Sequence, residues 1–157
     1  LADYGWANGT LGLGASIGAT MVGGALIARD GLARWVWPFV VAQNLPNLLY
    51  AAAAAGSLPA TLPALYTIIT VERFGEGLGT AVFMVFIMRC CDPEHRASHM
   101  ALLTAFMGIG FTIAGLVSGE LAEGLGFTAY FAVSALATVP AMLLISALPH
   151  LGGRRSV

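Results

Sequence analysis

Two long stretches without any charged side chain dominate the sequence. Residues 4–28 contain no Asp, Glu, Lys, Arg or His, and residues 35–71 contain none either. Each stretch is longer than the roughly 20 apolar residues that a helix needs to cross a bilayer. Charged residues make up 10% of the chain, whereas a soluble domain carries about 25%. Because so little polar surface is available to face water, we expect an all-α integral membrane protein.

Helix-breaking residues divide the apolar sequence into five predicted membrane spans. Gly56-Ser57-Leu58-Pro59 and Pro63 interrupt the second stretch and separate two helices. Asp92 followed by Pro93 is typical of an N-cap and the first helical residue, so the fourth helix is predicted to begin there. The chain opens at Leu1 without the basic start of a signal peptide, and we expect an internal start. The predicted spans are residues 7–28, 36–55, 62–89, 93–121 and 127–148.

The arginines predict how these spans are oriented. Six of the seven basic residues lie in residues 29–34, residues 89–96 and the C-terminal tail. With five alternating spans, these three places fall on one side of the membrane, and basic loops favour the cytoplasm. The opposite loops carry acidic residues and no base. Both basic loops and the tail are therefore predicted to be cytoplasmic.

The third span differs from the others because it carries charges near its middle. Glu72, Arg73 and Glu76 lie there, with the two carboxylates one helical turn apart. Ionisable groups at bilayer depth are costly unless paired or wetted, and they usually face a water-filled cavity. Since one arginine neutralises one carboxylate, our hypothesis pairs Glu72 with Arg73 and lets Glu76 take up and release a proton. The alternative is a closed Glu–Arg–Glu network that only fixes helix packing.

Uncharged polar residues extend this candidate site. On the third span, Tyr66, Thr70 and Thr80 continue the polar stripe and are candidates to line a cavity or bind solute. On the second span, Asn44 and Asn47 are further candidates, with hydrogen bonding between helices as the favoured role. The site is thus predicted to involve two neighbouring helices.

Glycines predict where helices approach closely. The spacing of Gly75, Gly77 and Gly79 inside an apolar helix does not match the G-x-G-x-x-G phosphate loop that follows a strand. Small residues there favour close approach of a partner helix or of solute. Two further pairs, at four-residue spacing, also predict helix packing: Gly14 with Gly18, and Gly115 with Gly119.

Composition and spacing exclude two kinds of ligand. The net charge is −1 and no basic stripe is present, which excludes nucleic acid as a partner. Cys90, Cys91, His95 and His99 lie close together in the sequence, but adjacent cysteines lack the spacing of a zinc site. We therefore expect no metal and no cofactor.

An enzymatic function is also disfavoured. Residues 30–34 resemble the opening of the CDP-alcohol phosphatidyltransferase motif, yet Ile27 stands where that family needs its first Asp. The acids expected further along are absent as well, because residues 35–71 contain no carboxylate. Without these ligands no divalent metal site forms, so phosphotransfer is not expected.

The loop after the first span resembles a transporter motif. The sequence from Gly24 to Arg34 is similar to G-x-L-A-D-R-x-G-x-R of the major facilitator superfamily, with Arg29 and Gly31 at matching places. Ala28 stands where the motif usually has Asp. The superfamily carries this motif between helices two and three, and in weaker form between helices eight and nine. Three more spans follow here, which fits the second copy.

Two further segments narrow the resemblance. Residues 72–81 and 96–105 resemble helix ten and the start of helix eleven in the anhydromuropeptide permease and acetyl-CoA transporter family, and Gln43-Asn44 fits the same pattern. The resemblance implies a C-terminal bundle made of helices eight to twelve. It implies proton-coupled import of a cell-wall sugar–peptide by alternating access across a bacterial inner membrane.

The resemblance also implies partners. They are lipid, protons, a small solute and the missing first half of the same transporter. The alternative that the residues leave open is a non-transporting membrane helix bundle or subunit.

Overall fold

The computed structural model describes residues 5–57 and 61–147, and all regular structure within these ranges is helical. A π-helical segment, Ala7–Gly12, leads directly into the first α-helix. The helical structure of the described residues confirms the prediction of an all-α protein. The helices are α1 (Leu13–Asp30), α2 (Leu32–Ala54), α3 (Leu62–Cys90), α4 (Arg96–Leu125) and α5 (Phe127–Ile145).

Single glycines join two pairs of consecutive helices. Gly31 connects α1 to α2 with a φ of 91°, and Gly126 connects α4 to α5 with a φ of 77°. Glycine adopts such angles readily because it has no Cβ. Each also donates its backbone N–H to the preceding helix, Gly31 to Ile27 at 2.8 Å and Gly126 to Ala122 at 3.0 Å. The basic loop predicted at residues 29–34 is therefore helical except at Gly31.

The start of α4 also differs from the prediction. The helix begins at Arg96 rather than at Pro93. The Asp92 carboxylate accepts the backbone N–H of Glu94 at 3.0 Å, and the Asp92 carbonyl accepts that of His95 at 3.2 Å. These contacts close a turn that precedes the helix. An Asp side chain accepts a hydrogen bond from the backbone N–H two residues later in two settings, helix N-caps and Asx-turns. The residue type alone therefore does not distinguish an N-cap from an Asx-turn.

The packing of the described residues centres on α3. This helix packs against α1 and α2, while α5 packs against α2. By contrast, α4 and α5 contain no buried residue, and Phe111 and Leu116 of α4 are 70% and 73% exposed. Large apolar side chains that the described chain leaves uncovered need lipid or another protein surface. The core consists of Ala19, Ile27, Leu32, Val36, Phe39, Leu78, Ala81 and Val82.

Three helical segments are long and apolar enough to cross a membrane: Ala7–Asp30, Arg96–Leu125 and Phe127–Ile145. The other two helices, α2 and α3, are 23 and 29 residues long and more polar. They are also the helices that pack most against other parts of the chain. A helix enclosed by protein tolerates polar groups that lipid does not.

Candidate functional site

Arg73 forms an ion pair with Glu76, not with Glu72. The Arg73 Nη1 atom lies 2.6 Å from Glu76 Oε2, so the predicted Glu72–Arg73 pair is wrong. The physical reason is helix geometry, because residues three apart share a face whereas adjacent residues diverge by about 100°. The pair is partly exposed, with side-chain exposures of 31% for Arg73 and 48% for Glu76.

The π-helical segment supplies a second partner for Arg73. Its Nε donates to the Asn8 side-chain oxygen at 2.7 Å. Gly12, at the end of the same segment, leaves room for the arginine stem, since a Cβ there would lie 2.8 Å from Arg73 Cγ. Sequence reasoning missed both residues. A π-helical turn is often found at functional sites, but nothing in the charge-free sequence around Asn8 indicates one.

Glu72 is held by a residue from another helix. The Tyr50 hydroxyl of α2 donates to Glu72 Oε2 at 2.6 Å. The Tyr50 ring in turn stacks on Phe131 of α5, with centroids 5.1 Å apart. Tyr50 was not among the predicted site residues, although a tyrosine inside a predicted span was the available signal.

The remaining polar residues of α3 have local roles or face outward. The Thr70 hydroxyl donates to the backbone carbonyl of Tyr66 at 2.7 Å. The Tyr66 ring lies 6.2 Å from the exposed Trp6 ring. Thr80 is exposed. Thus Tyr66 and Thr80 border the open part of the α3 surface, whereas the Thr70 hydroxyl is used within the helix.

The two asparagines of α2 differ. Asn44 donates to the Val40 carbonyl at 2.8 Å and its amide nitrogen lies 3.9 Å from the Met142 sulfur of α5. Its contacts are therefore within and between helices. Asn47 is half-buried, and the structure gives its side chain no hydrogen bond to another described residue.

The glycines of α3 pack tightly against two helices. A Cβ at Gly75 would lie 2.6 Å from the Ala42 carbonyl oxygen of α2, and one at Gly77 would overlap the backbone oxygen of Ser16 in α1. A Cβ at Gly79 would overlap the Gln43 amide. These three positions therefore bring partner helices against the backbone of α3.

The other predicted packing glycines have no such contact within the described chain. A Cβ added at any of them meets no atom within 4 Å. Their faces are therefore not used for packing among these five helices. They are Gly14 and Gly18 of α1, and Gly115 and Gly119 of α4.

The loop-motif residues lie around the α1–α2 connection. Arg29 pairs with Asp30, with Nε 3.1 Å from Oδ1, and Asp30 also accepts the indole N–H of Trp35 at 3.0 Å. Gly24 has open space at its Cβ position, and Arg34 is exposed.

The cysteine and histidine segment forms no metal-ligand cluster among the residues that the structure describes. His99 has a structural contact instead, because its Nδ1 accepts the backbone N–H of Asp92 at 3.2 Å. This contact joins the first turn of α4 to the connection before it.

These observations define an integral membrane protein of long apolar helices, with a charged cluster on the central one. A family model for the Major Facilitator Superfamily matches residues 2–155. The chain belongs to this superfamily, a family of transporters and not of enzymes.

Curated relatives agree with this assignment. Anhydromuropeptide permease of Escherichia coli K12 is 31% identical over 146 residues, which cover 91% of this chain and 29% of the relative. An uncharacterized protein of Haemophilus influenzae is 29% identical over 138 residues, or 85% of this chain and 32% of the relative. The AmpG 2 protein of Rickettsia bellii, described as a transporter, is 31% identical over 90 residues, which cover 57% of this chain and 22% of the relative. The chain thus spans less than a third of the length of these relatives. No solved structure matches it.

Proposed function

We propose that the chain is the C-terminal part of a proton-coupled solute transporter, with its five helices acting as helices eight to twelve of the superfamily fold. One observation carries the proposal. Glu72, Arg73 and Glu76 lie in the interior of α3, and the Arg73–Glu76 pair remains partly exposed although α3 is the central helix. A charged group retained in a membrane helix and open on one side is typical of a substrate or ion pathway.

The packing of α3 supports this role. Glycine contacts bring α1 and α2 against its backbone, so protein rather than lipid covers two of its sides. Glu76 and Thr80 lie on the part that remains exposed. A helix arranged in this way can carry charges and still border an aqueous cavity.

The open faces of α1 and α4 support a missing first half. Gly14, Gly18, Gly115 and Gly119 meet no neighbour in the described chain, and small residues at four-residue spacing favour close helix contact. The chain also covers only 29% of the permease relative. In our proposal, these faces pack against the other six-helix bundle during alternating access.

The solute that we propose is a muropeptide-like sugar–peptide. The support comes from the permease relative, whose name specifies an anhydromuropeptide. We place the protein in a bacterial inner membrane, with the α1–α2 and α3–α4 connections and the tail on the cytoplasmic side.

The test is uptake of labelled anhydromuropeptide by the full gene product that contains this sequence, reconstituted in vesicles. We expect accumulation that requires an imposed proton gradient and stops when a protonophore dissipates it. Vesicles with lipid alone are the control. Uptake that is absent, or unaffected by the gradient, would contradict the proposal.

The competing role is a network that only fixes helix packing, and one observation favours it. Each member of the cluster has a partner: Arg73 binds Glu76 and Asn8, and Glu72 binds Tyr50. In that case, replacing either carboxylate lowers stability and leaves any transport activity proportional to the amount of folded protein.

A further inference from the structure

The face of α2 that meets α3 carries two amide side chains, Gln43 and Asn47. The Gln43 side chain lies across the backbone of Gly79 in α3. Two turns further along α2, the Tyr50 hydroxyl donates to Glu72. Asn47 stands between these two contacts and on the same face, because residues three and four apart are neighbours on a helix surface. Both amides therefore adjoin the charged segment of α3.

Neither amide is used for packing within the described chain. Gln43 is exposed and Asn47 is half-buried, and the structure gives neither side chain a hydrogen bond to another described residue. Asn44, on another face of α2, differs from them because its amide donates to the Val40 carbonyl at 2.8 Å. An amide without a partner is costly in hydrocarbon. Two such amides on one face indicate that this face meets water or a polar ligand.

Gly79 fixes the position of the Gln43 amide. A Cβ at Gly79 would overlap this amide, so the absence of a side chain lets the flat group rest on the α3 backbone. Glycine disfavours the interior of a helix relative to alanine, and the close contact with Gln43 offsets that cost. The amide is thus held beside the part of α3 on which Glu76 and Thr80 are exposed.

We propose that Gln43 and Asn47 bind a secondary amide group of the transported solute, and that Gly79 is a positioning residue for Gln43. The inference rests on the transport function proposed above and identifies part of its solute site. An amide side chain both donates and accepts hydrogen bonds, and residues one turn apart have Cβ atoms about 5–6 Å from each other. The pair can therefore bind the N–H and the C=O of one trans amide, which point to opposite sides of its plane-sharing bond.

The chemistry of this amide pair fits a sugar–peptide. Secondary amides occur in the peptide part of such a solute and, where its sugars are N-acylated, in the sugar part as well. Hydrogen-bond acceptors for solute hydroxyl groups lie next to the two amides, because the Glu76 carboxylate and the Thr80 hydroxyl are both exposed there. Binding is non-covalent and requires no charge on the amide.

The experiment compares the parent protein with Gln43→Leu and Asn47→Leu in the full gene product. Affinity for labelled anhydromuropeptide is measured as the KM of gradient-driven uptake in vesicles and as the Kd in detergent. Loss of a neutral hydrogen bond changes an equilibrium constant by about two- to tenfold, so each variant is expected to raise both constants about fivefold and to keep kcat within about twofold. Gln43→Asn, which withdraws the amide by one methylene, gives the same test if Gln43→Leu does not fold.

Thr67→Val is the matched control. Thr67 is an exposed polar residue of α3, and its hydroxyl donates to the Pro63 carbonyl within the same helix at 2.8 Å. Removing this hydroxyl is expected to leave KM and Kd within about twofold of the parent values. An equal loss of affinity in Thr67→Val and Gln43→Leu would overturn the inference, because any polar-to-apolar change would then have the same effect.

Gly79→Ala tests the positioning role. The added methyl meets the end of a flexible side chain, so the variant is expected to fold, to displace the Gln43 amide and to weaken affinity about as much as Gln43→Leu. Combining Gly79→Ala with Gln43→Leu is expected to cause no further loss, because residues that act through one contact are not additive. Additive losses, or a Gly79→Ala variant with lowered thermal stability and unchanged KM, would overturn the role of Gly79.

A second probe, the same sugar without its peptide, distinguishes the two sources of the amide. Weaker binding of the complete solute alone in Gln43→Leu assigns the bound amide to the peptide, and weaker binding of both probes assigns it to the sugar. Unchanged affinity for both probes in Gln43→Leu and Asn47→Leu overturns the inference and leaves the transport proposal intact. A parent protein without gradient-driven uptake overturns the transport proposal itself.

Discussion

The region from α1 to α3 and the region from α4 to α5 differ in how their helices are covered. In the first, glycine backbones meet neighbouring helices, and the Thr20 hydroxyl donates to the Gly77 carbonyl at 3.1 Å. In the second, no residue is buried, and the glycines of α4 face open space. The first region therefore encodes much of its own packing. The second needs lipid or another part of the protein to cover its apolar surface.

The largest stability effect that should separate the two regions is that of Gly77→Ala. The added methyl would overlap the backbone oxygen of Ser16, and overpacking of this kind costs about 1–3 kcal/mol, or more where the backbone must move. The matched control is Gly115→Ala, where a methyl meets open space and alanine favours the helix by up to about 1 kcal/mol. Thermal unfolding in detergent measures both. Equal destabilisation by the two substitutions would contradict the conclusion that the two regions differ in how tightly their helices pack.

A smaller effect is expected from Asn8→Ala. The substitution removes the acceptor of the 2.7 Å hydrogen bond from Arg73, and such a bond to a charged group contributes about 1.5–3 kcal/mol. Because the site is partly exposed, we expect the lower end of that range. Thr10→Ala, in the same π-helical segment but at an exposed position, should change the free energy of unfolding by less than about 0.5 kcal/mol. If both variants unfold like the parent protein, Asn8 does not stabilise the charged cluster.

The smallest effect concerns the contact between the two regions. Phe131→Leu removes the ring that stacks on Tyr50, and an aromatic pair contributes about 0.5–1.5 kcal/mol beyond area burial. The control is Phe127→Leu at the exposed start of α5, with an expected change below about 0.5 kcal/mol. Unfolding in detergent again provides the measurement. A larger loss of stability in Phe127→Leu than in Phe131→Leu would show that contacts at the start of α5, rather than the stacking of Phe131 on Tyr50, hold this helix in place.

The class of fold and the family were predictable from the sequence because they depend on long-range averages. Charge-free stretches and a low charged fraction require a membrane environment, and the segments at Gly24–Arg34 and residues 72–81 carry the family resemblance. Helix ends were harder, since Asp92 closes a turn rather than capping α4.

The partners within the site could not be predicted in the same way. The predicted Glu72–Arg73 pair is wrong because the angles around α3 place Glu76, rather than Glu72, on the same face as Arg73. Asn8 and Tyr50 come from other elements, and their approach depends on a π-helical turn and on the packing of α2. Such contacts follow from tertiary structure, and an asparagine or tyrosine in an apolar span has many possible roles.

The single glycines at the two helix junctions have a consequence for movement. A one-residue junction leaves almost no spare backbone, so α1 with α2, and α4 with α5, can shift only as coupled hairpins without unwinding an end. The connection from α3 to α4 is longer, extending over residues 91–95. Because α3 also packs against α1 and α2, a shift of the α4–α5 hairpin relative to these three helices is absorbed at residues 91–95.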